Sequence, residues 1–172
     1  IAYAQNLDLI SIFIGGGPPS LITPQELERF LESVFSHFKI AANVEITLEA
    51  NPGTVDTAHF KAYRSIGINR LSMGIQSFND ELLQRLGRIH NSKDARKAIK
   101  IAQETFENFN LDVMFALPGQ TLEELKFEFN EAIATQSPHL SFYQLTLETN
   151  TVFAKHIPDN IPAPDVIYQM HA

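Results

Sequence analysis

The chain contains no cysteine. Disulfides and thiolate metal ligands are therefore excluded, and any metal site built from these residues has to use histidine or carboxylates. The six histidines, His37, His59, His90, His139, His156 and His171, show no His-Glu-x-x-His or other close ligand spacing. Each reads as a surface or loop residue. Positive charge is also short: 13 basic against 20 acidic residues give a formal charge of −7. With no basic run and no basic–aromatic interleaving, a nucleic-acid partner is disfavoured. No apolar run reaches membrane-spanning length, no signal-peptide pattern opens the chain, and no Asn-x-Ser/Thr acceptor occurs. These absences point to a cytoplasmic protein. What is present is an ordinary globular composition, 44% hydrophobic, in a chain of 172 residues, enough for one domain with a core.

Both ends fall in mid-pattern. The chain opens at Ile1-Ala-Tyr-Ala without an initiating Met, and Pro164-Asp-Val-Ile-Tyr starts a helix with Pro near N1 that stops after about two turns. The expectation is a piece of a longer protein. Residues 1–160 read as a core domain and 161–172 as the start of a truncated C-terminal region.

The most informative stretch is Ser11-Ile-Phe-Ile-Gly-Gly-Gly-Pro-Pro-Ser20, an apolar strand running into three glycines and two prolines. Glycines let the backbone pass close to a bound group, and ligands of α/β folds dock at the C-terminal ends of parallel strands. A phosphate loop would continue to Gly-Lys-Ser/Thr; here Pro18 and Pro19 remove two donors where they are needed. The turn suits a ligand other than a nucleotide phosphate, or is a tight structural turn.

Strand and helix signals alternate along the chain. Strands are expected at 9–14, 44–49, 71–76, 111–116 and 140–147, and helices from Thr23 onward and at 56–66, 80–86, 92–106 and 121 onward. Thr23-Pro-Gln-Glu26 and Thr121-Leu-Glu-Glu124 are capping boxes. Leu27, Phe30, Leu31, Val34, Phe35 and Phe38 form one apolar helical stripe, and Leu122, Leu125, Phe129 and Ile133 a second. About five β/α units in series imply an α/β fold with a parallel sheet and right-handed crossovers. A closed eight-fold barrel takes about 250 residues, so the expected form is an open, partial parallel (β/α) barrel. A flat doubly wound sheet is the alternative that periodicity leaves open.

Parallel strands buried on both faces read as continuous Val, Ile and Leu. Four strands here alternate instead. Val44, Ile46 and Leu48 oppose Glu45, Thr47 and Glu49; Leu71, Met73 and Ile75 oppose Ser72, Gly74 and Gln76; Leu111, Val113 and Phe115 oppose Asp112, Met114 and Ala116; Tyr143, Leu145 and Leu147 oppose Gln144, Thr146 and Glu148. Unpaired carboxylates are costly in a packed barrel. A ligand-lined cavity with Glu49, Gln76, Asp112 and Thr146 pointing into it accounts for the pattern, as would an exposed sheet face. The glycine turn favours the cavity.

Six segments occur in one order: the strand ending at Gly15-Gly16-Gly17; Glu45-Ile-Thr-Leu-Glu49 with Asn51-Pro-Gly; Arg70-Leu-Ser-Met-Gly-Ile-Gln-Ser-Phe-Asn79; Leu86-Gly-Arg-Ile-His90; Leu111-Asp-Val-Met-Phe-Ala-Leu-Pro-Gly-Gln-Thr121; and Leu140-Ser-Phe-Tyr-Gln-Leu-Thr146. Together they resemble the radical S-adenosylmethionine family of oxygen-independent coproporphyrinogen III oxidase and its relatives. Asn-Pro-Gly-Thr, Gln-Ser-Phe-Asn, Gly-Arg-Ile-His and Leu-Pro-Gly-Gln-Thr are similar to its heme-chaperone branch; the oxidases more often read Asp-Pro-Arg and Gln-Asp-Phe.

The resemblance implies a partial (β/α) barrel whose lumen holds a 4Fe–4S cluster and S-adenosylmethionine. It implies that Gly16 and Gly17 lie against the methionine part, that Glu49 accepts from the ammonium, and that Arg88 meets the carboxylate. Gln76 and Asp112 match polar residues near the sulfonium and ribose, and Thr146 matches a backbone contact on the adenine side. On its own, Arg88 reads as a loop cation or a helix C-cap.

The chain departs from the family pattern in three places. Pro18 stands where the family usually has Thr, losing a hydroxyl and an N–H beside the cofactor. Phe115-Ala116 replaces Tyr-Gly. The Cys-x3-Cys-x2-Cys cluster loop is missing, so the 172 residues alone are expected to be catalytically inert, with the loop expected upstream in the parent protein. The resemblance implies a heme chaperone that binds heme and passes it to an acceptor protein. The alternatives are coproporphyrinogen oxidation, with a porphyrinogen as substrate, and an unrelated (β/α) enzyme or binding module using Glu49 and Asp112 as acid and base.

Overall fold

The computed structural model describes residues 7–17, 19–54, 56–149 and 152–171. Five strands, β1 (Asp8–Ile14), β2 (Lys39–Ala50), β3 (Arg70–Gln76), β4 (Asn108–Phe115) and β5 (His139–Gln144), form one sheet in the order β1-β2-β3-β4-β5. Every neighbouring pair is parallel. The connections carry α1 (Pro24–His37), α2 (Thr57–Ser65), α3 (Asp80–Arg85), α4 (Ser92–Thr105) and α5 (Leu122–Ala134); α6 (Val152–Lys155) and α7 (Pro164–His171) follow β5. Because sequential strands are spatial neighbours and the outer two do not pair, the sheet is an open half-barrel, as expected, and not a doubly wound sheet with its strand-order reversal.

The helix starts follow local chemistry. Thr23 and Thr121 each accept from the backbone N–H three residues on, while Glu26 and Glu124 reach back to the cap. Asn91 and Asp94 form a third such box at α4. The helices cover one face of the sheet: Leu27 and Leu31 of α1, Phe60 and Tyr63 of α2, and Ala95, Ala98 and Ile99 of α4 pack on Ile46, Leu48, Leu71, Met73, Ile75, Leu111 and Val113. The expected apolar faces of β2 and β3 are thus the buried ones, as are Leu111 and Val113 of β4.

Four expectations change. Strand β2 begins at Lys39, five residues early, and pairs with β1 from Asp8, where Lys39 Nζ meets Asp8 Oδ1 at 2.7 Å. Both helix stripes are narrower than drawn: Phe30, Phe35 and Ile133 are exposed, and Glu128 and Ala132 hold the buried positions of α5 beside Leu125. His90 is a buried residue, its Nε2 at 3.1 Å from the Ile75 carbonyl.

Strand β5 reverses its faces and stops at Gln144. Phe142 stacks on Phe129 at 4.1 Å and packs toward the helices with Leu140, while Ser141 and Tyr143 face the lumen side. Phe142 and Tyr143 are adjacent aromatics, so alternation alone fits either face. The phenol hydroxyl decides, because it needs a polar partner.

Candidate functional site

At the C-terminal end of the sheet lies a cleft of about 260 Å³, where the open α/β sheet is expected to bind ligands. Its floor is the polar face of the strands. Asp112 accepts from Ser72 Oγ at 2.8 Å and from Asn110 Nδ2 at 2.9 Å. Asn110 also donates to Ser72 Oγ at 3.0 Å and accepts from Ser141 Oγ at 2.9 Å. Three strands thereby fix one carboxylate.

The glycine turn supplies one wall. A Cβ on Gly15 would stand 2.6 Å from the Phe13 ring and 2.8 Å from the Glu49 carboxyl carbon. Gly16 and Gly17 take φ of +87° and +65°, and the Gly16 N–H donates to Glu49 Oε2 at 3.0 Å. Gly15 therefore makes room for a protein carboxylate, and Gly17 lines the cleft. Pro18 lies outside the described residues; Pro19 lines the cleft. Behind this turn the buried Tyr63 hydroxyl donates to the Ser20 and Ile22 carbonyls at 3.0 and 3.2 Å, and burial pushes that phenol's pKa up. Ser20 Oγ bonds Thr54 Oγ1 at 2.9 Å, tying the turn to the loop after β2.

Arg88 reaches the cleft from the turn that ends α3. Gly87, at φ +69°, bonds back to the Gln84 carbonyl, and the Arg88 N–H to that of Leu83, both at 2.9 Å. Arg88 is exposed, lines the cleft, and has no hydrogen bond or ion pair from its guanidinium among the described residues. Gln76, only 5% exposed, closes β3 at a left-handed φ of +67°. It accepts from the Tyr143 hydroxyl at 2.7 Å. The residues that follow are held by Glu128, which is fully buried: one carboxylate oxygen takes the Phe78 N–H at 2.8 Å and the other bonds Ser77 Oγ. Burial pushes the Glu128 pKa up, against the pull of those hydrogen bonds.

Of the residues expected from sequence, Gly17, Glu49, Gln76, Arg88 and Asp112 meet in the cleft, with Gly16 bonded to one of them. Thr146 does not line it: it lies beyond the end of β5, exposed, with Oγ1 donating to Glu148 Oε1 at 2.9 Å. Sequence reasoning missed Asn110, Tyr143 and the supporting Glu128. Asn110 shares the parity of Asp112 and was lost by starting β4 too late. Glu128 carries a signal as well, a carboxylate one helical turn beyond Leu125 and before Ala132 on an otherwise apolar stripe.

Chemically, the cleft sets two carboxylates and one guanidinium, unpartnered among the described residues, around a small polar volume. A ligand with an ammonium and a carboxylate finds partners in Glu49 and Arg88, the planar fork of arginine matching a carboxylate bidentately.

An open half-barrel of parallel strands with a polar cleft at the strand ends is a partial (β/α) barrel core. Residues 1–130 match the Radical SAM superfamily, and the chain belongs to it. It is 49% identical to the heme chaperone HemW of Haemophilus influenzae over 167 residues, covering 96% of this chain and 43% of that protein. With Escherichia coli HemW the identity is 45%, covering 99% and 46%. Among solved structures, E. coli coproporphyrinogen III oxidase (HemN), described as a radical SAM enzyme, superposes with a TM-score of 0.85 at 26% identity, covering 94% of this chain and 38% of that one. The chain thus spans less than half the length of the curated relatives it matches.

Membership implies S-adenosylmethionine and a 4Fe–4S cluster as the superfamily's general cofactors. The cluster finds no ligands here: there is no cysteine, and among the described residues no three His, Asp or Glu side chains could hold a metal. Residues that would hold S-adenosylmethionine are present: Arg88, whose guanidinium has no partner among the described residues, the Glu49 carboxylate and the side-chain-free turn at Gly16 and Gly17.

Proposed function

We propose that this chain is the cofactor-binding part of a heme chaperone, a cytoplasmic protein that binds heme and transfers it to an acceptor protein, with S-adenosylmethionine seated in the lumen cleft. The observation that carries the reading is the 49% and 45% identity to HemW proteins over nearly the whole chain, against 26% to HemN. Glu49 takes the ammonium of the methionine moiety and Arg88 its carboxylate. Gly16 and Gly17 allow the backbone to lie alongside. Gln76 and Asp112 face the sulfonium and ribose. Pro18 is the remaining residue this reading assigns to cofactor binding. S-adenosylmethionine, when bound to a reduced cluster, supplies a hydrogen-abstracting 5′-deoxyadenosyl radical; the residues of this chain bind and orient it. The second reading, oxidative decarboxylation of coproporphyrinogen III, is favoured by the close superposition on HemN.

The test uses the full-length protein, reconstituted anaerobically with iron and sulfide. Supplied with S-adenosylmethionine, a reductant and coproporphyrinogen III, it is expected to form no protoporphyrinogen, and a heme titration is expected to saturate. Turnover from protein shown to hold its cluster would establish the oxidase instead.

A further inference from the structure

The cleft contains one cross-lumen contact that none of the expected ligand contacts explains. The Tyr143 hydroxyl, from the outermost strand β5, donates to Gln76 Oε1 on β3 at 2.7 Å. Both residues line the cleft. A glutamine amide has an acceptor end and a donor end of nearly equal size, so which end meets a ligand depends on what holds the other.

We propose that Tyr143 is a positioning residue of this cleft. In the observed arrangement its hydroxyl occupies Oε1 and anchors the amide with Nε2 left as a donor, which suits a ligand acceptor oxygen at that point. The inference rests on reading the cleft as the S-adenosylmethionine site.

Three features support it. Gln76 is almost wholly buried, yet among the described residues its Nε2 donates to no protein acceptor. The closed-off side-chain atoms without a partner among the described residues are Arg70 Nε, Asn108 Oδ1 and Gln120 Nε2, so Gln76 Nε2 is open to the cleft, where a ligand or water can accept from it. Gly74 makes room for that nitrogen: a Cβ there would stand 2.7 Å from Nε2 and 3.4 Å from Asn51 Oδ1. Finally, Tyr143 keeps its proton. Burial and then the Asp112 charge push its pKa above the ordinary phenol value, outweighing Arg88 and the Gln76 bond.

The test is a double-mutant cycle on the full-length protein, titrated with S-adenosylmethionine by calorimetry. Tyr143→Phe keeps the ring and removes only the hydroxyl. Gln76→Asn keeps an amide that tolerates the left-handed backbone but is too short to bridge. Tyr143→Phe is expected to weaken binding about three- to tenfold, the range of one oriented hydrogen bond. In the Gln76→Asn background the same change should cost nothing further. Wild-type affinity in Tyr143→Phe, with or without a lowered melting temperature, overturns the proposal, as do fully additive losses, since a tyrosine that merely packs would not be coupled to Gln76. A wild-type protein that does not bind S-adenosylmethionine overturns the cleft assignment itself.

Discussion

Gly16 and Glu49 are joined by a backbone N–H to carboxylate hydrogen bond of 3.0 Å, which locks the glycine turn after β1 to the end of β2. The neighbouring Gly15 has its Cα directly against that carboxylate. The three glycines therefore do two different jobs. Gly15 is required by space, whereas Gly16 and Gly17 are required by their positive φ.

Gly15→Ala is expected to displace the Glu49 carboxylate from this wall. Its Cβ would meet Glu49 and Phe13 well inside contact distance, so either the carboxylate leaves its bond with Gly16 or the strand end shifts. The cost expected for forced overpacking is about 1–3 kcal/mol, read as a lowered midpoint in denaturant, together with weaker S-adenosylmethionine binding. A variant with wild-type stability and affinity would show that Glu49 is not held there.

Arg88→Ala should separate binding from stability. The guanidinium is exposed and has no protein partner among the described residues, so its loss should change stability by no more than about 0.5 kcal/mol. Affinity for S-adenosylmethionine should fall about tenfold or more, as for a lost charge-assisted hydrogen bond. Thermal melts and calorimetry on the same preparations read the two effects.

Glu128 makes stability depend on pH in the direction opposite to an ordinary paired carboxylate. Its folded-state pKa is raised above 4.5 by burial, so between that value and the raised one the folded state binds more protons than the unfolded state. Its contribution is most favourable at low pH and declines as pH rises through the folded pKa. Glu128→Gln keeps an acceptor for the Phe78 N–H and should abolish this pH dependence, so that relative to the wild type the variant gains stability at neutral pH compared with mild acid. Glu128→Ala leaves that N–H and Ser77 without their partner and should cost about 1–3 kcal/mol at both pH values. Melting curves of the three proteins across this range check the sign.

The strand–helix order, the capping boxes at Thr23 and Thr121 and the polar faces of β2 and β3 were legible because each is a local signal: a cap is set by residues three apart, and a half-polar strand by period two. Glu49, Gln76 and Asp112 followed from that alternation, and the family resemblance added Arg88, which no periodicity reveals. What could not be read was set by contacts distant in sequence. Tyr143 faces the lumen because Gln76, 67 residues earlier, accepts its hydroxyl, and because Phe129 takes Phe142. Glu128 is buried because the loop after β3 leaves the Phe78 N–H to be satisfied. His90 is buried under Ile75 for a similar reason. In each case a side chain answers a backbone or side-chain group on another element.

The central claim is that the cleft between the glycine turn and Arg88 holds S-adenosylmethionine. Its most direct test is calorimetric titration of the full-length protein beside Glu49→Gln and Asp112→Asn, each of which keeps shape and removes a charge. Saturable binding in the wild type, weakened about tenfold or more in both variants, is the result predicted. Wild-type affinity in both would contradict it.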